Sequence, residues 1–589
     1  MKYRRLLYLF AFMTFYSTSN NEVATVQKIF TDDTPVEIDG IIVSRRGLID
    51  QISEILEGAV SVTEDILNTL LLPIKQLIKL DQKAILDNPH QNDEARVRLG
   101  GPICDEELSF REARFPVVKD AQEQFLETSL DDEDVLEIAF VASGGGVRAQ
   151  IYSLGACFGA DKMGLLDAVM CISALSGSTW FLSSWISGGL PISEYKEQAL
   201  DEVCRGIDID NIEDFGPMFD ALFVKFAFNQ HINVVDLYGA LLANNFLDGL
   251  EKQQNMVYLS DQVSMMNGGS FPLPICTAIL GERDYENYWF EFTPFEVGSR
   301  WLGAYIPAWS FGRKFKRGSS TVNAPEMSSG FLLGIYGSAF AASFEEMYER
   351  SFKYIELPKW LNDVPLADSL FASLKEFFRQ ATVCTDFGDI RFAWGQVFNY
   401  VYKMRECSFR GERNLKLVDA GCHMNNPIFV TYRKPPYGSA PDVIFVFDSG
   451  GKIGIDELNL EATYAEENNL PFPDIDKKDA TEKVLTVFGD PSDLENPLVL
   501  YMPRIVDHQL LALHKENSPL SDYPKRLYDL DIEEEISSGF ARTVNFEYSR
   551  EQAELISDLA EFNVRAVEKE IKELLKKRIS AKRLQRNKS

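Results

Sequence analysis

Three short stretches of this 589-residue chain bear side chains suited to chemistry. In the first, Ala174-Leu175-Ser176-Gly177-Ser178, a serine lies among small residues, where the apolar run Ala168-Val169-Met170-Cys171-Ile172-Ser173 gives way to Thr179-Trp180-Phe181-Leu182. A strand that feeds a helix through a sharp turn would expose the Ser176 hydroxyl as a nucleophile. The helix N-terminus beyond it adds positive potential beside the oxygen. In the second stretch, the strand-like run Val135-Leu136-Glu137-Ile138-Ala139-Phe140-Val141-Ala142 enters Ser143-Gly144-Gly145-Gly146-Val147-Arg148-Ala149. Consecutive glycines let backbone N–H groups turn toward an anion without side-chain clash, which is what an oxyanion hole requires. The third stretch is Leu417-Val418-Asp419-Ala420-Gly421, followed by Cys422-His423-Met424-Asn425-Asn426-Pro427. An aspartate at a strand end, held by a small-residue turn, can accept a proton from a serine on a neighbouring strand.

Each stretch alone has an ordinary reading: a tight strand-to-helix connection, a nucleotide-binding loop, a surface turn. The nucleotide reading fails on spacing, because Val147-Arg148-Ala149 occupies the place of the third glycine of G-x-G-x-x-G, and no Walker lysine follows. Two rivals for the base stay open. Asp448, in Phe447-Asp448-Ser449-Gly450-Gly451 after the apolar Val443-Ile444-Phe445-Val446, meets the same physical criterion as Asp419. The order Ser176, Asp419, His508 also matches that of an α/β-hydrolase triad. His508 sits in the helix-like Val506-Asp507-His508-Gln509-Leu510-Leu511, where a surface or packing role is the plainer reading, as it is for His423 and His514.

Taken together and in this order, Ser-Gly-Gly-Gly-x-Arg-Ala, x-Leu-Ser-Gly-Ser-Thr-Trp and Asp-x-Gly-(x)3-Asn-x-Pro resemble the catalytic domain of the cytosolic, group IV type phospholipase A2 and fungal lysophospholipase family, relatives of patatin. Trp289-Phe290-Glu291-Phe292-Thr293-Pro294-Phe295-Glu296-Val297-Gly298, Gly334-Ile335-Tyr336-Gly337-Ser338-Ala339-Phe340 and Asn469-Leu470-Pro471-Phe472-Pro473 also resemble family signatures, so the likeness covers roughly residues 131 to 505. The elbow departs from the pattern in having Ala174 where glycine is usual.

The resemblance implies a three-layer α/β/α, patatin-like hydrolase with a central, mainly parallel sheet. It implies Ser176 as nucleophile and Asp419 as general base of a Ser–Asp dyad, the flanking Asn-x-Pro favouring Asp419 over Asp448. Gly145 and Gly146 would supply the oxyanion-hole N–H groups, and Arg148 would bind the lipid phosphate or brace the site. The implied activity is cleavage of fatty acids from glycerophospholipids or lysophospholipids through an acyl-serine, with no cofactor and no metal. Transfer of the acyl group to a lysolipid, and a catalytically dead lipid-binding homologue, are the two alternatives.

The elements that must position these residues suggest α/β layering, since strand-like and helical segments alternate between Gly and Pro punctuation. With 45% hydrophobic and 12% aromatic residues the chain can bury a large core. We expect four parts: a signal peptide at 1–19, a helical N-terminal extension at 20–130, the catalytic domain at 131–550 and a basic C-terminal helix at 551–589. Basic Met1-Lys2-Tyr3-Arg4-Arg5 before apolar Leu6-Leu7-Tyr8-Leu9-Phe10-Ala11-Phe12-Met13 resembles an export signal, so a secreted or periplasmic protein, peripheral at membranes, is expected, with a cytoplasmic one as the alternative. In the extension, 48–56 and 66–78 have helical apolar spacing and lack the strand alternation and aspartate loops of a calcium-binding β-sandwich, so calcium independence is expected.

Eight cysteines show no metal-ligand spacing. A formal charge of −30 argues against nucleic acid as a partner and leaves phospholipid membranes or micelles as the substrate surface. The polybasic end, residues 576–588, is either a contact for acidic headgroups or a solvated tail. Residues 301–311 and 370–378 are candidates for an apolar pocket wall and a lid, with core packing an equal reading of both.

Overall fold

The computed structural model describes residues 88–206, 256–281, 288–340, 393–517 and 540–588 apart from a few short gaps, parts of 221–250, Leu527, and strand pairs at 36–43 and 385–392. The suspected signal, the helical runs at 48–56 and 66–78 and the suspected lid at 370–378 lie outside the described residues.

Twelve strands form one sheet. In chain order they are β1 (Arg98–Leu99), β2 (Ile138–Ala142), β3 (Cys171–Ala174), β4 (Leu273–Leu280), β5 (Trp289–Phe292), β6 (Glu296–Ser299), β7 (Ala304–Pro307), β8 (Gly395–Phe398), β9 (Asn414–Val418), β10 (Val443–Asp448), β11 (Thr486–Phe488) and β12 (Leu498–Pro503). The spatial order is β11-β12-β10-β2-β3-β4-β5-β6-β7-β1. The five central strands, β12 to β4, are parallel, and both flanks are antiparallel. Every residue of β2, β3, β4, β10 and β12 is buried, as their near-continuous apolar runs require of strands covered on both faces.

Helices supply the covering. α1 is Asp105–Leu126, α2 Gly146–Lys162, α3 Gly177–Gly188, α4 Ile192–Arg205, α5 Val234–Phe246, α6 Ser329–Tyr336, α7 Ile455–Glu467, α8 His508–Asn517, α9 Arg550–Arg565 and α10 Glu568–Arg586. The successive crossovers β2-α2-β3 and β3-α3-β4 bring α2 and α3 against each other, with α4 and α9 packed on them. α2 meets α9 closely: a Cβ on Gly155 would lie 2.2 Å from the Ser557 carbonyl oxygen, so only glycine permits the approach. α1 and α7 share the 429–433 segment, through Arg433–Glu107 and through Phe429 stacked on Tyr464 at 4.9 Å. The architecture is the expected layered α/β fold with a mostly parallel centre.

β1, from the segment expected to be a helical extension, closes the far edge of the sheet on β7. The segment 301–311, read from sequence as pocket wall or core, also belongs to that edge. Trp309 stacks on His90 at 4.2 Å and Trp301 packs on Tyr464, four strands from β3.

At the other end of the chain, α10 uses its cations on the catalytic body. Arg583 donates to Asp134 at 2.8 Å, Arg586 to Asp131 at 3.1 Å, and Lys582 reaches Asp442 at 3.4 Å. No helix among the described residues is long and apolar enough to cross a membrane.

Candidate active site

β4 is longer than its neighbour β3, and this length creates the site. Along one edge of β4, β3 pairs in parallel and ends at Ala174, opposite Cys276. β9 runs along the same edge from the opposite direction and ends at Val418, opposite Ile279. Ile279 pairs with Trp289 of β5 on its other side, which fixes β9 to the edge that β3 occupies. The two strand ends therefore face each other across three residues of β4, roughly 10 Å at the usual rise. Leu175-Ser176 and Asp419 fill that gap. Thr277 spans it from below, donating its hydroxyl to the Ala174 carbonyl at 2.9 Å.

Ser176 adopts φ 52°, ψ −127°, a conformation that costs a non-glycine residue on the order of 1–3 kcal/mol. The strain falls on the serine itself, whereas Ala174 completes an ordinary extended strand, so alanine is accommodated there. Oγ of Ser176 donates to Oδ2 of Asp419 at 2.8 Å. Asp419 Oδ1 accepts from the Gly421 N–H at 2.9 Å, and its carboxylate also receives the Ala339 N–H. Ser176 is 3% exposed and Asp419 1%. Burial pushes the carboxyl up to about 7, and the hydrogen bonds from Gly421, Ser176 and Ala339 only partly oppose the rise.

The glycine loop touches the elbow directly. Gly145 caps α2 and Gly146 opens it, with φ 145° and 66°, so their N–H groups precede the first intrahelical bonds. A Cβ on Gly144 would meet that of Ser176 at 3.0 Å, and one on Gly177 would meet the Gly146 oxygen at 1.9 Å. Ser178 Oγ donates to the Ser143 carbonyl at 2.6 Å, and the Gly144 N–H donates to the Asn425 carbonyl at 3.2 Å. The Asn-x-Pro turn thus joins the Asp419 loop to the glycine loop, and the Pro427 carbonyl accepts from Ser173 at 2.8 Å.

Arg148 is 2% exposed. Its Nε donates to the Ser449 carbonyl and its Nη1 to the Ala541 carbonyl, both at 2.8 Å. Nη2 stands beside Gly145, 2.6 Å from where a Cβ there would be. Burial and the neighbouring Arg504 lower its affinity for the proton to about 10.

The rivals lie elsewhere. Asp448 ends β10, two strands from β3, where it accepts from Tyr501 Oη at 2.6 Å and from the Gly450 N–H at 2.8 Å. His508 opens α8 beyond β12, three strands or roughly 14 Å from β3. His423 faces Tyr464 and His514 faces Phe562. Among the described residues no group of three or more His, Cys, Asp or Glu could hold a metal ion.

Sequence reasoning missed several supports. Ser338 Oγ accepts the Asp419 N–H at 2.9 Å, and Phe340 and the Thr543 carbonyl cover Gly146. The Gly-Ser-Ala-Phe motif held a signal for the first of these. Nothing in the sequence pointed to 541–546.

An α/β-hydrolase-like fold with a serine seated against a carboxylate beneath a helix N-terminus defines the class. The chain belongs to the lysophospholipase catalytic domain family, whose match runs over residues 138–468, more than half its length. It is 28% identical to human cytosolic phospholipase A2 zeta over 476 residues, covering 69% of this chain and 53% of the relative. It is 26% identical to human cytosolic phospholipase A2 epsilon over 504 residues, covering 77% and 57%. The chain thus spans just over half the length of these two relatives. The solved structure of human GIVD cytosolic phospholipase A2 superposes with a TM-score of 0.67 over 83% of this chain and 69% of that one, at 22% identity, which speaks to the fold.

These relatives correct one expectation. They are cytosolic phospholipases A2, which overturns the reading of an exported protein. A short apolar run behind basic residues has the composition of an aromatic-rich N-terminal helix as much as of a signal, so composition misled.

Proposed function

We propose that this chain is a serine acyl-ester hydrolase that removes fatty acids from glycerophospholipids or lysophospholipids presented at a membrane or micelle surface. The reading rests above all on the 2.8 Å hydrogen bond from Ser176 Oγ to Asp419 Oδ2 on a strained strand-to-helix turn. Family membership supports the substrate class.

Ionised Asp419 takes the proton of Ser176 as Oγ attacks the ester carbonyl. The C–O double bond opens to a tetrahedral oxyanion, which the N–H groups of Gly145 and Gly146 receive. Collapse breaks the ester bond. The leaving alkoxide takes the proton from Asp419 and departs as a lysolipid, or as the glycerophospho compound when the substrate is itself a lysolipid. Water then attacks the acyl-serine with Asp419 again as base, releasing the fatty acid and restoring Ser176. Arg148 acts as a brace: it ties Gly145 to the Ser449 turn and to residue 541, and its retained charge favours an anion at the loop.

Phospholipids labelled at each acyl position, incubated with wild type, Ser176→Ala and Asp419→Asn, test this directly. Release of labelled fatty acid by wild type and a loss of at least about a thousandfold in both variants is the expected result. A fluorophosphonate probe should label wild type at Ser176 and leave Ser176→Ala unmodified. Full turnover by either variant would overturn the dyad.

A further inference from the structure

α7 brings to the glycine loop an acid that the catalytic steps do not use. A glutamate at the third position of a helix commonly reaches back to the N–H of its own cap. Glu457 holds that position in α7, after the Gly454 cap, yet its Oε2 accepts the Asn425 N–H at 3.3 Å, 32 residues away in the chain. Asn425 passes this hold on. Its carbonyl accepts the Gly144 N–H at 3.2 Å and its Nδ2 donates to the Gly144 carbonyl at 3.5 Å, so the two residues exchange a pair of hydrogen bonds. Gly144 has no slack between Asn425 and the elbow: a Cβ there would lie 2.7 Å from Asn425 Oδ1, 2.5 Å from Leu175 Cδ2 and 3.0 Å from the Ser176 Cβ. Gly145 and Gly146 follow directly in the chain.

The place is a poor one for a carboxylate. Glu457 is half-buried, and burial, followed by Asp448 and Asp456, pushes its carboxyl up against the opposing hydrogen bond from Asn425. Glu461, one turn further along α7 and fully buried, is a third acid beside it. An acid kept among acids, its oxygen spent outside its own helix, is placed for what it holds. We propose that Glu457 is a positioning residue for the oxyanion hole: through Asn425 it sets the distance between the glycine loop and Ser176. This inference rests on the hydrolase reading above and adds the element that aligns its anion site. Misplacing reacting groups by about 1 Å can cost about a hundredfold in rate, so a loosened glycine loop acts on kcat.

The test compares wild type, Glu457→Gln, Glu457→Met and Glu457→Ala in kcat and KM for a phospholipid in mixed micelles, in melting temperature, and in both the rate and the extent of fluorophosphonate labelling. Glutamine keeps an acceptor for the Asn425 N–H, whereas methionine keeps the length without it. In Glu457→Met and Glu457→Ala, kcat and the labelling rate should fall together by about tenfold, short of the loss of an oxyanion donor outright, with KM within about twofold and labelling still going to completion. Glu457→Gln should keep kcat within about twofold and melt no lower than wild type, because it retains the bond and sheds the repulsion from Asp448 and Asp456. A merely structural role would lower the melting temperature and the labelled fraction while the folded fraction reacted at the wild-type rate. That result, or equal losses in the glutamine and methionine variants, would overturn the proposal. Should the alanine variant fail to fold, the glutamine and methionine pair decides. A wild type with neither turnover nor labelling ends the hydrolase reading and this inference with it, and an active wild type with kcat unmoved in Glu457→Met ends this inference alone.

Discussion

Two buried aspartates end apolar strands on small-residue turns, Asp419 after β9 and Asp448 after β10, and their surroundings differ in one decisive way. Both accept a backbone N–H two residues on, from Gly421 and Gly450. Both are pushed up by burial. Asp419 has the hydroxyl of Ser176, the elbow serine, as its further partner, whereas Asp448 has the Tyr501 phenol and the hydroxyl of Ser143, which lies before the glycines. The cause is strand direction. β9 is antiparallel to β4 and meets the end of β3 head-on, while β10 is parallel to β2 and lies two strands from Ser176. The same local turn therefore presents a carboxylate to the Ser176 hydroxyl in one case and to a packing partner in the other.

The sharpest way to break this comparison is to neutralise each aspartate in turn. Asp419→Asn should lose at least about a thousandfold in kcat, whereas Asp448→Asn, checked by circular dichroism to be folded, should keep turnover within about tenfold. Equal losses in folded variants would erase the distinction.

The pH dependence separates the two next. Because the base must be ionised and its pKa lies at about 7, log kcat should climb with unit slope below that pH and level off above it. Stability moves the opposite way. A carboxyl whose pKa is raised on folding weakens the fold as pH rises from its unfolded value of 3.8 to about 7, with no further change above. Thermal melts at pH 4 to 8 should show that Asp419→Asn removes part of this decline, and an unchanged slope would contradict the buried acid.

Smaller effects sharpen the picture. Tyr501→Phe takes one hydrogen bond from Asp448 and should cost about 1–3 kcal/mol in urea unfolding while leaving the pH profile in place. Ser338→Ala removes the acceptor for the Asp419 N–H and should lower kcat about tenfold with KM little changed. His508→Ala, three strands away, should stay within about twofold of wild type, and a large loss there would revive the triad.

The elbow, the glycine loop and both aspartate turns were legible because each is a local feature, a few consecutive residues whose small side chains permit one backbone path. Residues 301–311 were open between pocket wall and core for a related reason. An aromatic-rich segment reads the same whether it lines a site or seals a sheet edge, and here Trp309 stacks on His90. Residues 541–546 were invisible, since their contacts with Arg148 and Gly146 span some four hundred positions and leave no periodic trace.

By itself the sequence determined the family, the layered α/β class and the turns able to hold a serine, an anion hole and a carboxylate, because spacing and side-chain size dictate local backbone geometry. Only the tertiary structure decided how Asp419 is brought to Ser176, that Arg148 directs donors to backbone carbonyls, and that Phe340 covers Gly146. Those outcomes depend on strand order and direction around β4, which arise from long-range pairing that no run of neighbouring residues encodes.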